Sequence, residues 1–97
     1  MLFMDIMTWD PKDNEEIEKR YMSWEYPEGY NMISEWSDVS SCRVFIVYEL
    51  DNEEAYARAA FPWRDIAKLE TIPIMDTKKA VEIGDKIKAE MGFSLPV

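Results

Sequence analysis

The sequence predicts an α+β fold of the ferredoxin-like βαββαβ plan, a four-stranded antiparallel sheet in the order 4-1-3-2 followed by a C-terminal helix. Three observations carry this expectation. Two stretches, Met1 to Trp9 and Arg43 to Leu50, are β-prone and apolar on both faces, as central strands covered on both sides would be. Two others, Tyr30 to Ser37 and Ile66 to Met75, carry polar alternation or a proline, as edge strands do. Helix signals fall between them in the order strand–helix–strand–strand–helix–strand–helix, and pattern and topology agree. A chain of 97 residues is expected to form one domain over 1–97.

In the first strand Leu2, Met4, Ile6 and Thr8 share one face, and Phe3, Asp5, Met7 and Trp9 the other. Asp10-Pro11 then opens a helix, with aspartate at the N-cap and proline at the first helical position. Asp13, Glu15 and Glu16 suit its N-terminal end, Lys19 and Arg20 come later, and Ile17, Tyr21 and Trp24 are spaced as one buried stripe. Pro27-Glu28-Gly29 ends that region in a turn. Tyr30 to Ser37 and Arg43 to Leu50, joined through Asp38 to Ser41, are expected to form a hairpin.

A second helix is predicted over Asp51 to Phe61, with Asp51 and Glu54 at capping-box spacing and a small buried side of Ala55, Ala59 and Ala60 beside Tyr56. Pro62 stops it. Pro73 cannot donate to a ladder, which places the fourth strand at an edge. Asp76 caps a third helix running to Met91, with Ala80, Ile83, Gly84, Ile87 and Met91 at helical spacing and Gly92 as a left-handed stop. Phe93, Leu95 and Val97 alternate, so the tail is expected to dock as a short extended segment.

Composition narrows function. A domain of this size buries only about 60–65% of its unfolded surface, so an apolar second sheet face is best covered by another copy. With 20 Asp and Glu against 11 Lys and Arg the net charge is −9, which repels nucleic-acid backbones and anionic membranes. The lysine/arginine-glycine-phenylalanine signature of RNA-binding strands is also missing, so nucleic acid is not an expected partner. One cysteine, Cys42, forms no internal disulfide and fits a reducing, cytoplasmic setting. No histidine is present to activate it or to bind zinc, so no metal and no cofactor are expected. The start Met1-Leu2-Phe3-Met4-Asp5 lacks the basic region and apolar core of a signal peptide, and no run is long enough to span a membrane.

Several short motifs stand out along the chain, with no internal repeat among them. They are Leu2-Phe3-Met4 running into Trp9-Asp10-Pro11, Pro27-Glu28-Gly29, Glu35-Trp36-Ser37-Asp38, Pro62-Trp63-Arg64-Asp65 and Ile72-Pro73-Ile74-Met75-Asp76. In these the chain resembles a small uncharacterised prokaryotic domain-of-unknown-function family of the dimeric α/β-barrel, ferredoxin-like group. The resemblance covers nearly the whole chain. It implies that fold and a homodimer, and it brings no established activity and no catalytic residues. Fold-level relatives include cofactor-independent oxygenases, isomerases and haem enzymes. Sharing their fold is analogy alone, and the haem branch lacks a histidine ligand here.

The apolar set Leu2, Met4, Ile6, Val44 and Ile46 is expected under the helices. The mixed set Phe3, Asp5, Met7 and Trp9 with Arg43, Phe45, Val47 and Glu49 is expected to face the partner subunit and line an apolar cavity between the sheets. Asp5 is the one catalytic candidate, because a carboxylate within a central strand must be paired or protonated. It reads as a general acid or base, or as a structural ion pair with Arg43 or an intersubunit polar contact. Trp9, Trp36 and Trp63 read as pocket walls for a planar ligand or as packing. Arg64, beside Trp63, reads as an anion clamp or as a surface ion pair with neighbours of Asp65. Tyr48 and Glu35 are further polar members of the cavity, and the seven methionines read as core filler.

Three function classes follow. The first is a homodimer that binds a small apolar or aromatic molecule. The second is a cofactor-free oxygenase or isomerase using Asp5, with Arg43 or Arg64 stabilising an anion. The third is an interaction module whose second sheet face serves only to dimerise.

Overall fold

The computed structural model describes residues 1–92; the extended tail expected at Phe93, Leu95 and Val97 lies outside the described residues. Strand β1 spans Leu2–Trp9, helix α1 Asn14–Met22, β2 Tyr30–Ser37, β3 Arg43–Leu50, α2 Glu53–Ala60, β4 Ala67–Ile74 and α3 Thr77–Met91. The sheet is antiparallel throughout, in the order β2-β3-β1-β4, and is the four-stranded α+β arrangement the sequence predicts. The doubly apolar strands occupy the centre, and Pro73 sits on the edge strand β4 opposite Phe3.

The helix boundaries follow local chemistry. Asp10 accepts from the Lys12 amide at 2.9 Å and opens a 3-10 turn, Pro11–Asp13, that leads into α1. Helix α2 is capped by Asn52, not by Asp51 as the sequence suggests. Asp51 is already committed, its amide to the Gly29 carbonyl and its carboxylate to the Asn31 amide, which leaves Asn52 to take the Ala55 amide. Gly29 turns the chain at φ 89°, with Ala55 packed against it. Asp76 caps α3 through the Lys79 amide, and Gly92 closes it in the left-handed conformation at φ 70°.

The register settles which face is which. Asp5 lies opposite Ile46 and Thr71, and Met7 opposite Val44 and Leu69. Thus Phe3, Asp5, Met7 and Trp9 share the helix-covered face with Val44, Ile46 and Tyr48. Leu2, Met4 and Ile6 share the outer face with Arg43, Phe45, Val47 and Glu49. For β1 this reverses the expectation from the sequence. Apolarity ranked the even residues of β1 as core, but cross-strand pairing decides the face.

The core sits on the helix side in two clusters. Tyr30, Ile46, Tyr48 and Ala55 form one under α2, and Met7, Ile17 and Trp63 form the other beside α1. Each fully buried large apolar side chain contributes about 1.5–3 kcal/mol. On the outer face Leu2, Met4, Ile6, Phe45, Val47, Ile72 and Ile74 are only half-buried, and Trp36 is 65% exposed. Helix α3 leaves the sheet. Along it only Gly84 is buried, while Val81 and Met91 are at least half exposed. The radius of gyration is accordingly 16.9 Å, against about 13 Å for a compact chain of 100 residues.

Candidate functional site

Asp5 is the polar centre of the helix-covered face and is only 4% exposed. Tyr48 on β3 donates to its Oδ1 at 2.6 Å and Thr71 on β4 donates to the same oxygen at 2.8 Å. Tyr30 on β2 donates to Oδ2 at 3.2 Å by reaching across β3. One carboxyl on β1 is therefore bonded to each of the other three strands. Tyr56 on α2 meets Thr71 at 2.6 Å and ties the helix layer to the same group.

Burial pushes the Asp5 carboxyl above its ordinary value, and the hydrogen bonds from Tyr48, Thr71 and Tyr30 only partly offset this. Burial, together with the neighbouring carboxyl, drives the Tyr30 and Tyr48 phenols well above the usual tyrosine range. Both remain donors at every working pH. The Tyr30 and Tyr48 rings stack at 4.0 Å, with Phe3 beyond Tyr48 and Tyr26 beyond Tyr30.

A second carboxylate, Glu35 on β2, accepts from Tyr21 at 2.8 Å and from Tyr26. Tyr26 is pushed well up by burial and by Glu35, so it too stays protonated. Trp24 stands nearly perpendicular to both Tyr26 (78°) and Trp63 (77°), with centroids 5.9 and 5.4 Å away. These rings and carboxylates line a cleft of about 610 Å³ between the sheet and α1, with Asp5, Met7, Val44, Ile46 and Leu69 along its sheet side.

Helix α1 bridges the cleft and is pinned near its two ends. Arg20 makes a two-pronged ion pair with Asp65, both bonds 2.7 Å, and also reaches the Pro62 carbonyl. Trp9 Nε1 donates to Asn14 Oδ1 at 3.0 Å. Between these anchors only Ile17 is buried.

The structure gathers some of the expected site residues and separates others. Asp5, Met7, Trp9 and Trp63 line the cleft, as does Glu35, and Phe3 and Tyr48 back it. Trp36 and Phe45 lie on the outer face instead. Arg43 pairs with Asp38 at 3.0 Å and lies over the Phe45 ring, so it is not the partner of Asp5. Arg64 lies over Phe61, away from the cleft. The cleft itself is on the helix side, opposite the face on which a cavity was expected. Sequence reasoning missed Trp24, Tyr26 and Tyr30 as site residues. The signal was there: Trp24, Tyr26 and Tyr30 fall within seven residues at the end of a helix, a density of rings that a plain turn does not need. Among the described residues no group of acidic side chains and cysteine is placed to hold a metal ion, and no helix is long and apolar enough to cross a membrane.

A family model described as a domain of unknown function (DUF3303) matches residues 1–88. No curated protein and no solved structure matches the chain.

Proposed function

The chain belongs to the DUF3303 family, a domain of unknown function, and from that premise we propose that it binds a small, mostly apolar or aromatic molecule in the cleft between the sheet and α1. The observation that carries this reading is the cleft's make-up: a concave space of about 610 Å³ walled by Trp9, Trp24, Tyr26 and Trp63, with Met7, Val44, Ile46 and Leu69 on its sheet side and with Asp5, Asn14 and Glu35 each held by a hydrogen-bond partner. That is how small-ligand sites are built. The test is titration with a panel of neutral aromatic compounds, followed by tryptophan emission and by thermal shift. Saturable one-site binding that is weakened in Trp24→Ala supports the reading. A panel that gives neither signal at millimolar concentration refutes it.

The buried Asp5 on the cleft's sheet side, its carboxyl held above the ordinary value by burial, favours a second reading, a cofactor-free isomerase or oxygenase in which Asp5 moves a proton. Neither Arg43 nor Arg64 reaches the cleft to stabilise an anion, which weakens it. On any substrate found, full turnover by Asp5→Asn excludes it.

The working form we propose is a homodimer closed over the outer sheet face. The half-buried Leu2, Met4, Ile6, Phe45 and Val47, and the exposed stripe of α3, support it. Sedimentation equilibrium is expected to give a dimer at micromolar concentration and a monomer for Val47→Asp. If both proteins sediment as monomers, the dimer is excluded. A dimer with a cleft that binds nothing leaves the interaction-module reading.

A further inference from the structure

The charges and rings around the cleft bear on what kind of molecule fits it, granted the reading that the cleft takes a small ligand. Its ionisable lining is one-sided. Glu15 and Glu18 stand on α1 and Glu35 on β2, and among the described residues Lys19 is the only basic one that lines it. The four arginines are engaged elsewhere, Arg20 on Asp65, Arg43 on Asp38, Arg58 on Glu54 and Arg64 over Phe61. An anionic ligand would find no guanidinium there and would meet several carboxylates. A strictly neutral ligand would leave the charge of Glu35 unanswered, because Tyr21 and Tyr26 give it hydrogen bonds but no countercharge.

The aromatic geometry points the same way. Trp24 stands almost at right angles to Tyr26 and to Trp63, so ring faces and edges meet at a corner instead of forming a flat slot. Tryptophan and tyrosine rings attract organic ammonium groups, and Tyr26 of this corner is bonded directly to Glu35. Glu35 shares this lining and carries the charge the cation would neutralise.

We propose that the cleft selects an organic cation: an amine or quaternary ammonium group, carried on an apolar or aromatic body, with the cation at Glu35 and the Trp24–Tyr26 corner. The body lies along Met7, Val44 and Leu69 on the sheet side. Asp5 sits deeper, enclosed by its three hydroxyl donors, and is not the ion's partner.

Three probes of one shape test this by isothermal titration calorimetry on the whole chain: 1-naphthylmethylamine, 1-naphthalenemethanol and 1-naphthoate. The amine is expected to bind on the order of tenfold more tightly than the alcohol, and the naphthoate most weakly. The amine's advantage is expected to shrink as salt is raised and to fall in Glu35→Gln, read as the amine-to-alcohol ratio within the same protein. If the alcohol or naphthoate binds as well as the amine, the selection for cations is overturned and the cleft reading stands. If all three leave the protein unperturbed, the cleft reading falls and this inference falls with it. An undiminished amine advantage at high salt overturns the electrostatic account in the unmodified chain, whether or not Glu35→Gln folds.

Discussion

Replacing Asp5 separates its charge from its hydrogen bonds. Asp5→Ala removes the acceptor of three hydroxyls in a site only 4% exposed. Thr71 keeps Tyr56 as a partner, so two phenols, Tyr30 and Tyr48, lose theirs. A buried hydroxyl without a partner costs about 1–3 kcal/mol. Relief of the desolvated carboxyl offsets part of this, leaving a net loss of about 2–4 kcal/mol. A domain of this size is typically stable by only about 5–15 kcal/mol, and the loss corresponds to a fall in Tm on the order of 10–20 °C.

Asp5→Asn keeps the shape: its carbonyl accepts from Tyr48 and Thr71, and its amide donates to the Tyr30 oxygen. The cost at low pH is expected to stay within about 1 kcal/mol. Linkage gives the pH dependence. The folded carboxyl binds its proton more tightly than the ordinary value of 3.8, so its contribution is full below about pH 3.8 and is lost as pH rises through the folded value. The asparagine variant has no such loss, and its stability relative to the parent is expected to rise from about pH 4 upward and then level off. Asp38 and Asp65 are held below their ordinary values by their hydrogen-bond partners, Ser40 and Arg20 foremost, and contribute the opposite slope. They are common to both proteins and cancel in the difference. Urea unfolding followed by tryptophan emission between pH 3.5 and 8 measures it. A difference independent of pH, or a loss below about 1 kcal/mol in Asp5→Ala, refutes the reasoning.

Gly29→Ala is expected to destabilise by about 1–3 kcal/mol, because φ is 89° and the new methyl would lie 3.1 Å from Ala55 Cβ; the urea midpoint should fall with an unchanged slope. Arg20→Met removes both bonds to Asp65 and the one to the Pro62 carbonyl. Hydrogen exchange should then show faster amides across Asn14–Met22, with β1 and β3 unchanged. Asp76→Ala removes the cap from α3 and is expected to cost that helix about 1 kcal/mol, seen as lower helicity by circular dichroism with an intact aromatic signal.

The sheet was legible because its two central strands are apolar on both faces and its edges are not. Periodicity shows which residues share a face, but not which face is covered. For β1 that needed the pairing of Asp5 with Ile46 and Thr71, which no single strand encodes. The cap of α3 was readable because Asp76 has no competing duty; Asp10 also caps, but it caps the 3-10 turn ahead of α1, whose own N-cap, Asp13, makes no side-chain capping bond. Asp51 failed as a cap because two long-range partners, Gly29 and Asn31, had prior claim on it. Asp5 stood out as a lone carboxylate in an apolar strand. The aromatic corner did not, because the helix was expected to run through Trp24. Instead α1 ends at Met22, and the Trp24 amide closes a turn on the Tyr21 carbonyl at 3.0 Å.

The bonding of Asp5 to three strands also bears on how the sheet finds its alignment. Strands that are apolar on both sides tolerate misalignment well, since a slide in either direction still buries carbon. A slide of β1 by one position would send the carboxyl to the outer face. A slide by two would leave it on the correct face but bring Phe3 or Met7 under Tyr30, Tyr48 and Thr71, a hydrocarbon among hydroxyls. One polar atom group thus distinguishes errors that hydrophobicity cannot, and it does so against β2, β3 and β4 together. A sheet rebuilt with leucine at this position would gain greasy contact and lose this marker of alignment, and the expected result is a mixture of closely related pairings in place of one.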